Sequence, residues 1–349
     1  MPFVPGHANE RSNPARASVP QSRTGGEGST GSVNEVSTPA LPSRRIAYLG
    51  PVGTFTEQAL LGQPDLAAGD LVPLPTMSDV LFAVHEGEAD LGVVAIENAI
   101  EGTVNVAIDT LAFDVDLLIQ RELVLRVQMN LLARPGTTLG EVKKLMSIPV
   151  AWAQCRTWLR ANLGSIDRTA TGSTAEAAEL VATSSEPGVA AIANARAAEV
   201  YGLETLAADV EDHPENETRF VVVARAGVPA PTGHDKTSIV VFQRADEPGS
   251  LLAILQEFAA RRINLSLLLS RPTKNRLGDY CFVLDLEGHV ADEVVADCLR
   301  SLRAKQADVK FLGSYPAAGD GGHEVRRESD EQLRNAEEWL DSLRSQIEG

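Results

Sequence analysis

The sequence predicts an α/β fold in which two lobes enclose a cleft and a smaller βαββαβ domain follows them. Three observations support this prediction. From Ile46 onward, short apolar runs alternate with apolar residues at helical spacing, which is typical of α/β domains. A half-exposed run over residues 123–132 interrupts that alternation, and the pattern changes again at Thr237. We therefore expect two α/β lobes joined by crossing strands, with a separate domain behind them.

The first lobe is predicted from residues 46–111. Its elements are a strand at 46–49, a helix at 55–61, a helix around 77–84, a strand at 91–96 and a helix at 104–111. Met77, Val80, Leu81 and Val84 repeat at i, i+3, i+4 and i+7, which gives the second of these helices one buried face. The βαβ order favours a mainly parallel sheet.

The second lobe begins after a crossing strand. Apolar and polar residues alternate through residues 123–132, which predicts one long half-exposed strand between the lobes. The elements predicted beyond it are a strand at 145–150, helices at 151–162 and 174–182, a strand at 189–193 and a helix at 195–201. A strand from Thr218 is expected to return to the first lobe. Ligands should then bind between the lobes, at strand ends and helix N-termini.

The two lobes together span residues 45–226, and a linker at 227–236 leads to a third domain at 237–316. The pattern of that domain is strand 238–242, helix 250–261, strands 265–270 and 280–286, helix 292–302 and strand 309–314. This βαββαβ order is the ferredoxin-like unit. Because the domain has no cysteine ligand pattern and no obvious catalytic cluster, we expect it to regulate or assemble the protein.

Composition excludes several classes of function. The formal net charge of −17 over 349 residues argues against nucleic acid and anionic membranes as partners. Cys155, Cys281 and Cys298 are far apart in apolar-periodic segments, so we expect buried free thiols, a reducing cytoplasmic location and no metal site. No run approaches the roughly 18 apolar residues of a membrane span.

The two ends of the chain differ from the middle. Residues 1–44 lack hydrophobic periodicity and the apolar core of a secretory signal, so a disordered tail is expected there. A start codon placed too far upstream would give the same pattern. Residues 317–349 are predicted to be a polar linker and one amphipathic helix, because apolar residues recur at helical spacing from Leu333 to Leu343.

Three polar junctions lie beside apolar strands. They are residues 50–57 (GPVGTFTE), 96–104 (IENAIEGTV) and 216–220 (NETRF), of which the last leads into the apolar run 221–223. A strand entrance can hold a hydroxyl or a guanidinium rigidly at the rim of a cleft. Junctions from such distant parts of the chain predict one polar pocket, which is how a small-molecule enzyme is usually built.

These junctions and this domain order resemble prephenate dehydratase followed by a regulatory ACT domain. The resemblance covers residues 46–316 and rests on seven segments in family order: GPVGTFTEQA, AIENAIEGTV, STAEAA, the YGL turn from Tyr201, NETRFVVVA, DEPGSLLAILQEFAARRINLS and LSRP. It implies a two-lobed, periplasmic-binding-protein-like catalytic domain that acts in phenylalanine biosynthesis. In the family, prephenate loses carbon dioxide and water to give phenylpyruvate. No metal or organic cofactor is implied, because aromatisation drives the reaction.

The resemblance implies that Thr218 assists departure of the substrate hydroxyl. A threonine hydroxyl is a poor acid, so we expect it to donate a hydrogen bond to the departing oxygen. Arg219 is expected to bind or orient a substrate carboxylate, because its fork fits one. A structural ion pair at the strand start is the alternative for Arg219. Phe220 is a candidate substrate contact, although a place in the core suits it better.

Further substrate-binding residues are expected around the cleft. They are Thr54, Thr56, Glu97, Asn98, Ser173 and Thr174, with Gln154 and Arg156 as weaker candidates. Asn98 can bind a carboxylate or a hydroxyl through its amide, and Glu97 is expected to hold Asn98 or a backbone turn. The hydroxyls at the helix starts either cap N–H groups or bind substrate, so helix N-termini are expected to do much of the anion binding.

The resemblance also implies a phenylalanine site between the ACT domains of a dimer. The matching residues are Gly249, Ser250, Leu251, Asn264, Leu265, Leu269, Ser270, Arg271 and Pro272. Leu269 stands where the family's Glu-Ser-Arg-Pro motif has its acid, and Ser250 stands where the Gly-Ala-Leu motif has its alanine. Because this chain has no carboxylate there to answer the effector's ammonium, we expect weak or absent inhibition by phenylalanine.

Three departures near the expected site keep other activities open. Ala95, Ala99 and Ile148 replace the family's proline, serine and histidine. Dehydration of arogenate and decarboxylation of prephenate without dehydration are the nearest alternatives, and a non-catalytic amino-acid-sensing protein is a third. The Thr218-Arg219-Phe220 motif argues against the third, because a pure binder has no evident reason to keep it. The expected assembly is a homodimer or homotetramer formed partly through ACT domains.

Overall fold

Three β-sheets organise the part of the chain that the structure describes. The computed structural model describes residues 44–243, 247–274, 279–306, 308–319, 338–339 and 342–346. The predicted tail at 1–44 and the predicted C-terminal helix fall almost entirely outside these residues, so both stay predictions. Two mixed sheets form two lobes, and a four-stranded antiparallel sheet forms the third domain.

The first lobe contains the predicted strands and helices, with added short elements. They are β1 (Arg45–Leu49), α1 (Phe55–Leu61), α2 (Pro64–Ala67), β2 (Asp70–Leu74), α3 (Met77–Glu86), β3 (Leu91–Asn98), β4 (Gly102–Thr103), α4 (Asn105–Asp109), a π-helical turn at Thr110–Asp114, and β5 (Leu118–Arg126). The start of α3 is a capping box between Thr76 and Asp79. Its end is Gly87, whose φ of 86° suits a residue without a Cβ.

The second lobe has its own mixed sheet. Its elements are β6 (Asn130–Ala133), a short 3₁₀ turn at Leu139–Glu141, β7 (Lys144–Ser147), α5 (Pro149–Gln154), α6 (Arg156–Asn162), β8 (Asp167–Ala170), α7 (Thr174–Thr183), β9 (Val189–Ala193), α8 (Ala195–Tyr201) and β10 (Glu204–Ala207). The strand order across this sheet is β10-β6-β9-β7-β8.

A late strand, β11 (Glu217–Ala224), returns to the first lobe as predicted and gives its sheet the order β2-β1-β3-β11-β5. The sheet is mainly parallel as predicted, because β1, β2, β3 and β5 run in one direction, but it is mixed. β11 runs antiparallel to both β3 and β5, and in the second lobe β6 runs antiparallel to both of its neighbours. Each of these strands follows a crossing between the lobes, so each enters its sheet against the direction of the strands beside it.

Two predicted elements are broken in the structure. The predicted single strand over 123–132 is β5 and β6, which belong to different sheets, and the chain crosses between the lobes at 127–129. Apolar residues recur at every second position across this break, because those in β5 pack on the core of the first lobe and those beyond it pack on the core of the second lobe. The predicted helix over 151–162 is α5 and α6, because the carboxylate of Asp212 accepts the backbone N–H of Thr157 at 3.1 Å and caps the second helix.

The third domain has the predicted βαββαβ order. Its elements are β12 (Asp235–Phe242), α9 (Ser250–Ala260), β13 (Leu265–Pro272), β14 (Tyr280–Glu287), α10 (Glu293–Lys305) and β15 (Asp308–Pro316), with the strand order β13-β14-β12-β15. The domain packs on the first lobe, where Val221 and Val223 of β11 share one buried cluster with Val240, Leu312 and Tyr315. The third domain therefore covers one face of the strand that carries Thr218.

Candidate active site

Thr218 and Asn98 lie side by side on the first sheet. They are register partners on β11 and β3, and the Asn98 Nδ2 amide donates to Thr218 Oγ1 at 2.9 Å and to the carbonyl of Glu217 at 3.2 Å. The other end of the amide, Oδ1, accepts the backbone N–H groups of Ile100 and Glu101 at 3.0 Å. Two backbone donors thus determine which end of the amide is oxygen. The Thr218 oxygen must act as an acceptor for Asn98, and its own proton remains available.

Gln154 joins the second lobe to this pair. Its Nε2 donates to Glu101 Oε1 at 3.0 Å, and its Oε1 accepts from Asn216 Nδ2 at 3.2 Å. Glu101 belongs to the turn that Asn98 holds, and Asn216 comes just before β11. Gln154, a weaker candidate on sequence grounds, is therefore connected on both sides to the segments that present Thr218. Arg156, the other weaker candidate, begins α6, and the structure does not connect it to this network.

The hydroxyls at two helix starts serve as caps. Thr54 Oγ1 donates to the carbonyl of Leu49 at 2.8 Å and accepts the N–H of Glu57 at 3.3 Å at the start of α1. Ser173 Oγ accepts the N–H of Glu176 at 3.0 Å at the start of α7. Thr56 and Thr174 are buried in the first turns of the same helices, and their hydroxyls make no hydrogen bond to any residue that the structure describes.

The two lobes also touch through the first polar junction, and the sequence analysis did not predict these contacts. The buried carboxylate of Glu57 on α1 pairs with Arg196 Nη2 on α8 at 3.0 Å and accepts the N–H of Gly53. The Tyr201 hydroxyl donates to the carbonyl of Val52 at 2.8 Å. Burial raises the pKa of Tyr201, so this hydroxyl stays protonated and can donate at neutral pH.

Arg219 does not face the same way as Thr218. Successive side chains on a strand point to opposite faces, and Arg219 points towards the third domain. Its Nε lies 2.8 Å from Glu122 Oε1, and its Nη2 lies 2.6 Å from Asp285 Oδ2. Burial alone would lower the pKa of Arg219, but the negative charge of Asp285, together with that of Glu122, outweighs burial and raises it. Arg219 therefore forms structural ion pairs, which was the alternative expected for it. It does not bind a substrate carboxylate in this conformation, and that expectation is corrected.

Of the two residues next to Arg219 in the sheet and in the chain, Glu97 departs from expectation and Phe220 takes the place in the core that suited it better. Glu97 is the register partner of Arg219 and lies 3.5 Å from its Nη1, so it pairs with Arg219 and does not hold Asn98. Phe220 is 1% exposed and packs in the core of the first lobe with Tyr48 and Leu60. A substrate contact is therefore excluded for Phe220 in this conformation, because the core already surrounds its ring.

The residues matched to the effector site lie at one end of the third domain and in its edge strand. Ser250 Oγ donates to Gln243 Oε1 at 3.1 Å, and Asn264 Nδ2 donates to Glu287 Oε1 at 2.8 Å. Gly249 caps α9, Leu251 and Leu265 pack on the core of the third domain, Leu269 packs on the core shared with the first lobe, and Ser270 and Pro272 are exposed. Arg271 reaches the first lobe, where its Nε and Nη2 donate to the two carboxylate oxygens of Asp109, each at 2.8 Å.

Comparison with known families agrees with this geometry. Residues 46–228 match the prephenate dehydratase family model, and residues 237–304 match the ACT domain model. The first of these matches covers more than half of the chain. The chain belongs to the prephenate dehydratase family.

Prephenate dehydratases from several bacteria align with most of this chain. Prephenate dehydratase from Mycolicibacterium gilvum is 42% identical over 311 residues, which cover 86% of this chain and 98% of that protein. The enzyme from Corynebacterium glutamicum is 38% identical and covers 84% and 95%. A prephenate dehydratase from Arthrobacter aurescens, solved in complex with L-Phe, is 39% identical with a TM-score of 0.76 and covers 86% and 99%.

A further solved structure with the same fold is described as a quorum-quenching acylase. It is 30% identical, has a TM-score of 0.70, and covers 79% of this chain and 98% of its own. This chain is a carbon–oxygen lyase, and the fold of its family also occurs in that acylase. The predicted architecture, a two-lobed periplasmic-binding-protein-like domain with an ACT domain, is confirmed.

No group of histidine, cysteine or acidic side chains within the described residues is placed to hold a metal ion. Nor is any helix among them long and apolar enough to cross a membrane.

Proposed function

We propose that this enzyme converts prephenate to phenylpyruvate and that Thr218 donates the hydrogen bond that the departing hydroxyl needs. The orientation of Asn98 is the observation that supports this role. Because Asn98 donates to the Thr218 oxygen at 2.9 Å, the threonine proton must point elsewhere. No described residue accepts that proton, so it is available to a ligand in the cleft. A donor at a rigid strand end needs little reorganisation when charge develops on the leaving oxygen.

The reaction requires the protein to align the substrate and to donate the hydrogen bond from Thr218 to the departing hydroxyl. The ring carboxylate leaves as carbon dioxide, and the electrons of the broken C–C bond form the last double bond of the aromatic ring. The C–O bond to the ring hydroxyl breaks at the same time, and the hydroxide takes one proton to become water. Thr218 lowers the barrier by stabilising the charge on that oxygen, and the cleft holds the substrate so that both bonds can break together.

The substrate carboxylates require donors other than Arg219. We propose that the first turns of α1 and α7 supply them, through backbone N–H groups and the hydroxyls of Thr56 and Thr174. Thr54 and Ser173 shape these turns by capping them. The N-terminal turns of helices favour negative charge, and at these two starts that potential is added to hydroxyl donors. Gln154 completes the site from the second lobe through its links to Glu101 and Asn216.

Substitution of Thr218 tests the proposed role. Thr218→Ala should lower kcat for phenylpyruvate formation by about 100-fold to 1,000-fold with little change in KM, the loss typical of one transition-state donor. Thr218→Ser keeps the hydroxyl and should retain most of the activity. Thr183→Ala removes an exposed threonine hydroxyl on α7 and serves as the matched control. A Thr218→Ala enzyme with kcat within a factor of two of the parent would refute the role.

The product identifies the reaction among the alternatives. Phenylpyruvate from prephenate supports the dehydratase, whereas phenylalanine from arogenate would show that the amino acid is the substrate. Consumption of prephenate without phenylpyruvate would show decarboxylation alone. An acylase activity like that of the similar solved structure is not favoured by this site. A nucleophilic threonine needs a base to take its proton, and within the described ranges no side chain accepts a hydrogen bond from Thr218.

We further propose that the enzyme is a homodimer or homotetramer with phenylalanine as its effector, and that inhibition is weak. The Arthrobacter aurescens relative with bound L-Phe supports an effector of this kind. In this chain Leu269 packs on the shared core and Arg271 is engaged by Asp109, so neither is available to an amino acid in this conformation. The cytoplasmic location expected from the cysteines stays a prediction.

A further inference from the structure

Four side chains form a closed ring of polar contacts between the first lobe and the ACT domain. Arg219 Nη2 donates to the Tyr315 hydroxyl at 3.2 Å, and that hydroxyl lies 2.6 Å from Ser238 Oγ. Ser238 Oγ donates to Asp285 Oδ1 at 2.5 Å, and Asp285 Oδ2 lies 2.6 Å from Arg219 Nη2. Three of the four members come from the three strands β12, β14 and β15, so the ACT sheet supplies the ring and the first lobe supplies only Arg219.

The ring is almost free of solvent. Tyr315, Ser238 and Asp285 are at most 2% exposed and Arg219 is 8% exposed. Lys236 adds a second positive charge beside the ring. The carboxylate of Glu122 on β5 contacts both cations, because its Oε1 lies 2.8 Å from Arg219 Nε and 2.9 Å from Lys236 Nζ. Buried ionic groups of this kind contribute little net stability, yet removal of one partner leaves the other uncompensated. The arrangement therefore constrains the position of Arg219 strongly.

The position of Arg219 matters because Thr218 is the next residue. On one side β11 pairs with β3, and the register of that pairing shifts between Arg219 and Phe220. The unpaired residue is Ile96 of β3, so the bulge lies beside Glu97 and Asn98, the partners of Arg219 and Thr218, and re-aims the side chains of that strand. The direction of Thr218 is thus set by its contact with Asn98 on one face of the sheet and by the anchoring of Arg219 on the other.

We propose that the ACT domain positions Thr218 for catalysis, through the ring that Asp285, Tyr315 and Ser238 form around Arg219. Asp285 and Tyr315 are positioning residues in a domain expected to regulate or assemble the protein. This inference rests on the proposed function of Thr218. It makes the ACT sheet part of the support of the active site even when no effector is bound.

Substitutions in the ring test this in the full-length enzyme without phenylalanine. Asp285→Asn removes a negative charge 2.6 Å from Arg219 Nη2, and Tyr315→Phe removes a hydroxyl 3.2 Å from the same atom. Both substitutions keep the shape of the side chain. Each should lower kcat for phenylpyruvate formation by about 10-fold to 100-fold and leave KM within twofold, because a small misplacement of a catalytic group costs that much. If Asp285→Asn fails to fold, Tyr315→Phe makes the same test.

The matched control is Thr237→Val. Thr237 is a fully buried residue of the same strand as Ser238, and its hydroxyl bonds Ser314 and the carbonyl of Gly288, away from Arg219. This variant should lower the Tm in the same way as the ring variants and leave kcat unchanged. An equal loss of kcat in Thr237→Val would mean that any buried polar loss in the ACT sheet harms the enzyme, and the proposal would be overturned.

A double variant separates positioning from general damage. If Asp285 acts through Thr218, then Asp285→Asn should cost less than twofold in kcat when Thr218 is already alanine, although it costs tenfold or more in the parent. The same factor in both backgrounds would overturn the inference, as would a single Asp285→Asn variant with kcat within twofold of the parent. If Thr218→Ala itself is active, the proposed function fails as well. If Thr218→Ala is inactive and the ring variants are normal, only this inference fails.

Discussion

Asn98 shows how one amide can determine what a neighbouring hydroxyl does. Its Oδ1 is held by two backbone N–H groups, so its Nδ2 has to face Thr218. An asparagine and an aspartate have nearly the same shape, but only the asparagine can donate to the Thr218 oxygen. The direction of the threonine proton is therefore a consequence of one residue type at position 98, and a substitution can reverse it.

Asn98→Asp should lower kcat more than Asn98→Ala does. The new carboxylate would still accept the N–H groups of Ile100 and Glu101, but its second oxygen would accept the proton of Thr218 and withdraw it from the substrate. It would also place a negative charge beside a dianion. We expect a loss of at least about 100-fold in kcat, the cost of one oxyanion donor. Steady-state assays of phenylpyruvate formation measure both variants.

The control for this pair is Asn162→Asp. Asn162 is an exposed residue of α6 whose amide donates to the carbonyl of Trp158, so the same change of residue type falls far from Thr218. Its kcat and KM should equal those of the parent. Higher activity in Asn98→Asp than in Asn98→Ala would contradict the assigned orientation. A carboxylate at position 98 would take the Thr218 proton, whereas alanine would leave that proton free for the substrate.

At the scale of elements, apolar periodicity predicted strands and helices that carry a buried face and missed three exposed edge strands of the two lobes. The predicted bounds of α1, β9 and α8 equal those observed, because each has a buried face on a core. The edge strands β2, β8 and β10 were not predicted, since an edge strand can be exposed and needs no alternation. The break between α5 and α6 depends on Asp212, which lies over 50 residues away in the chain, so no local pattern contains it.

The candidate site divides in the same way. The pairing of Thr218 with Asn98 could be expected because both residues follow polar junctions of strands that meet. The error at Arg219 came from treating adjacent motif residues as one site, whereas the two-residue period of a strand places them on opposite faces. Glu57 and Arg196 were missed because their contact joins two lobes, and neither residue has a sequence signal for the other.

The edge strand β13 carries a prediction of its own. Its first six residues, 265–270, contain no charged side chain and no proline, and the residues that usually protect an exposed edge, Arg271 and Pro272, stand only at its end. In the described part of the chain β13 pairs only with β14, and Leu268 on it is 43% exposed. We infer that this edge meets the same edge of a second copy, as the proposed ACT dimer requires.

Leu268→Asp should therefore dissociate the dimer, because it places a charge at the centre of an apolar contact. Light scattering after size exclusion at about 1–10 μM would report the 37.2 kDa monomer in place of a multiple of it. Leu180→Asp is the control, because Leu180 is 41% exposed on α7 of the second lobe. An unchanged oligomer in Leu268→Asp would show that another surface holds the subunits together.

At the scale of the whole molecule, hydrogen bonds bridge the two lobes at separate points. Gln154 joins the second lobe to Glu101 at one point, and Tyr201 joins it to Val52 at another. Both bridges are hydrogen bonds to a turn or a backbone carbonyl, each of which contributes only about 0.5–1.5 kcal/mol net. Contacts of that size can hold the lobes together around a substrate and still release product, because small differences in free energy suffice to shift such an equilibrium.

Tyr201→Phe should weaken closure without harming the chemical step. It removes the hydroxyl that donates to the carbonyl of Val52 at 2.8 Å, and the ring remains in place. Loss of about 0.5–1.4 kcal/mol from the closed state should raise KM for prephenate by roughly twofold to tenfold, with a smaller effect on kcat. Small-angle scattering should report a larger radius of gyration for the free variant, and saturating substrate should restore the compact value.

Tyr280→Phe removes the hydroxyl of a 41% exposed tyrosine in the ACT domain and should change neither KM nor the radius of gyration. A Tyr201→Phe enzyme with the parent's KM and the parent's scattering curve would show that the lobes are held by the other bridges alone, and the closing contact would then have to be sought at Gln154 and at the pair of Glu57 with Arg196.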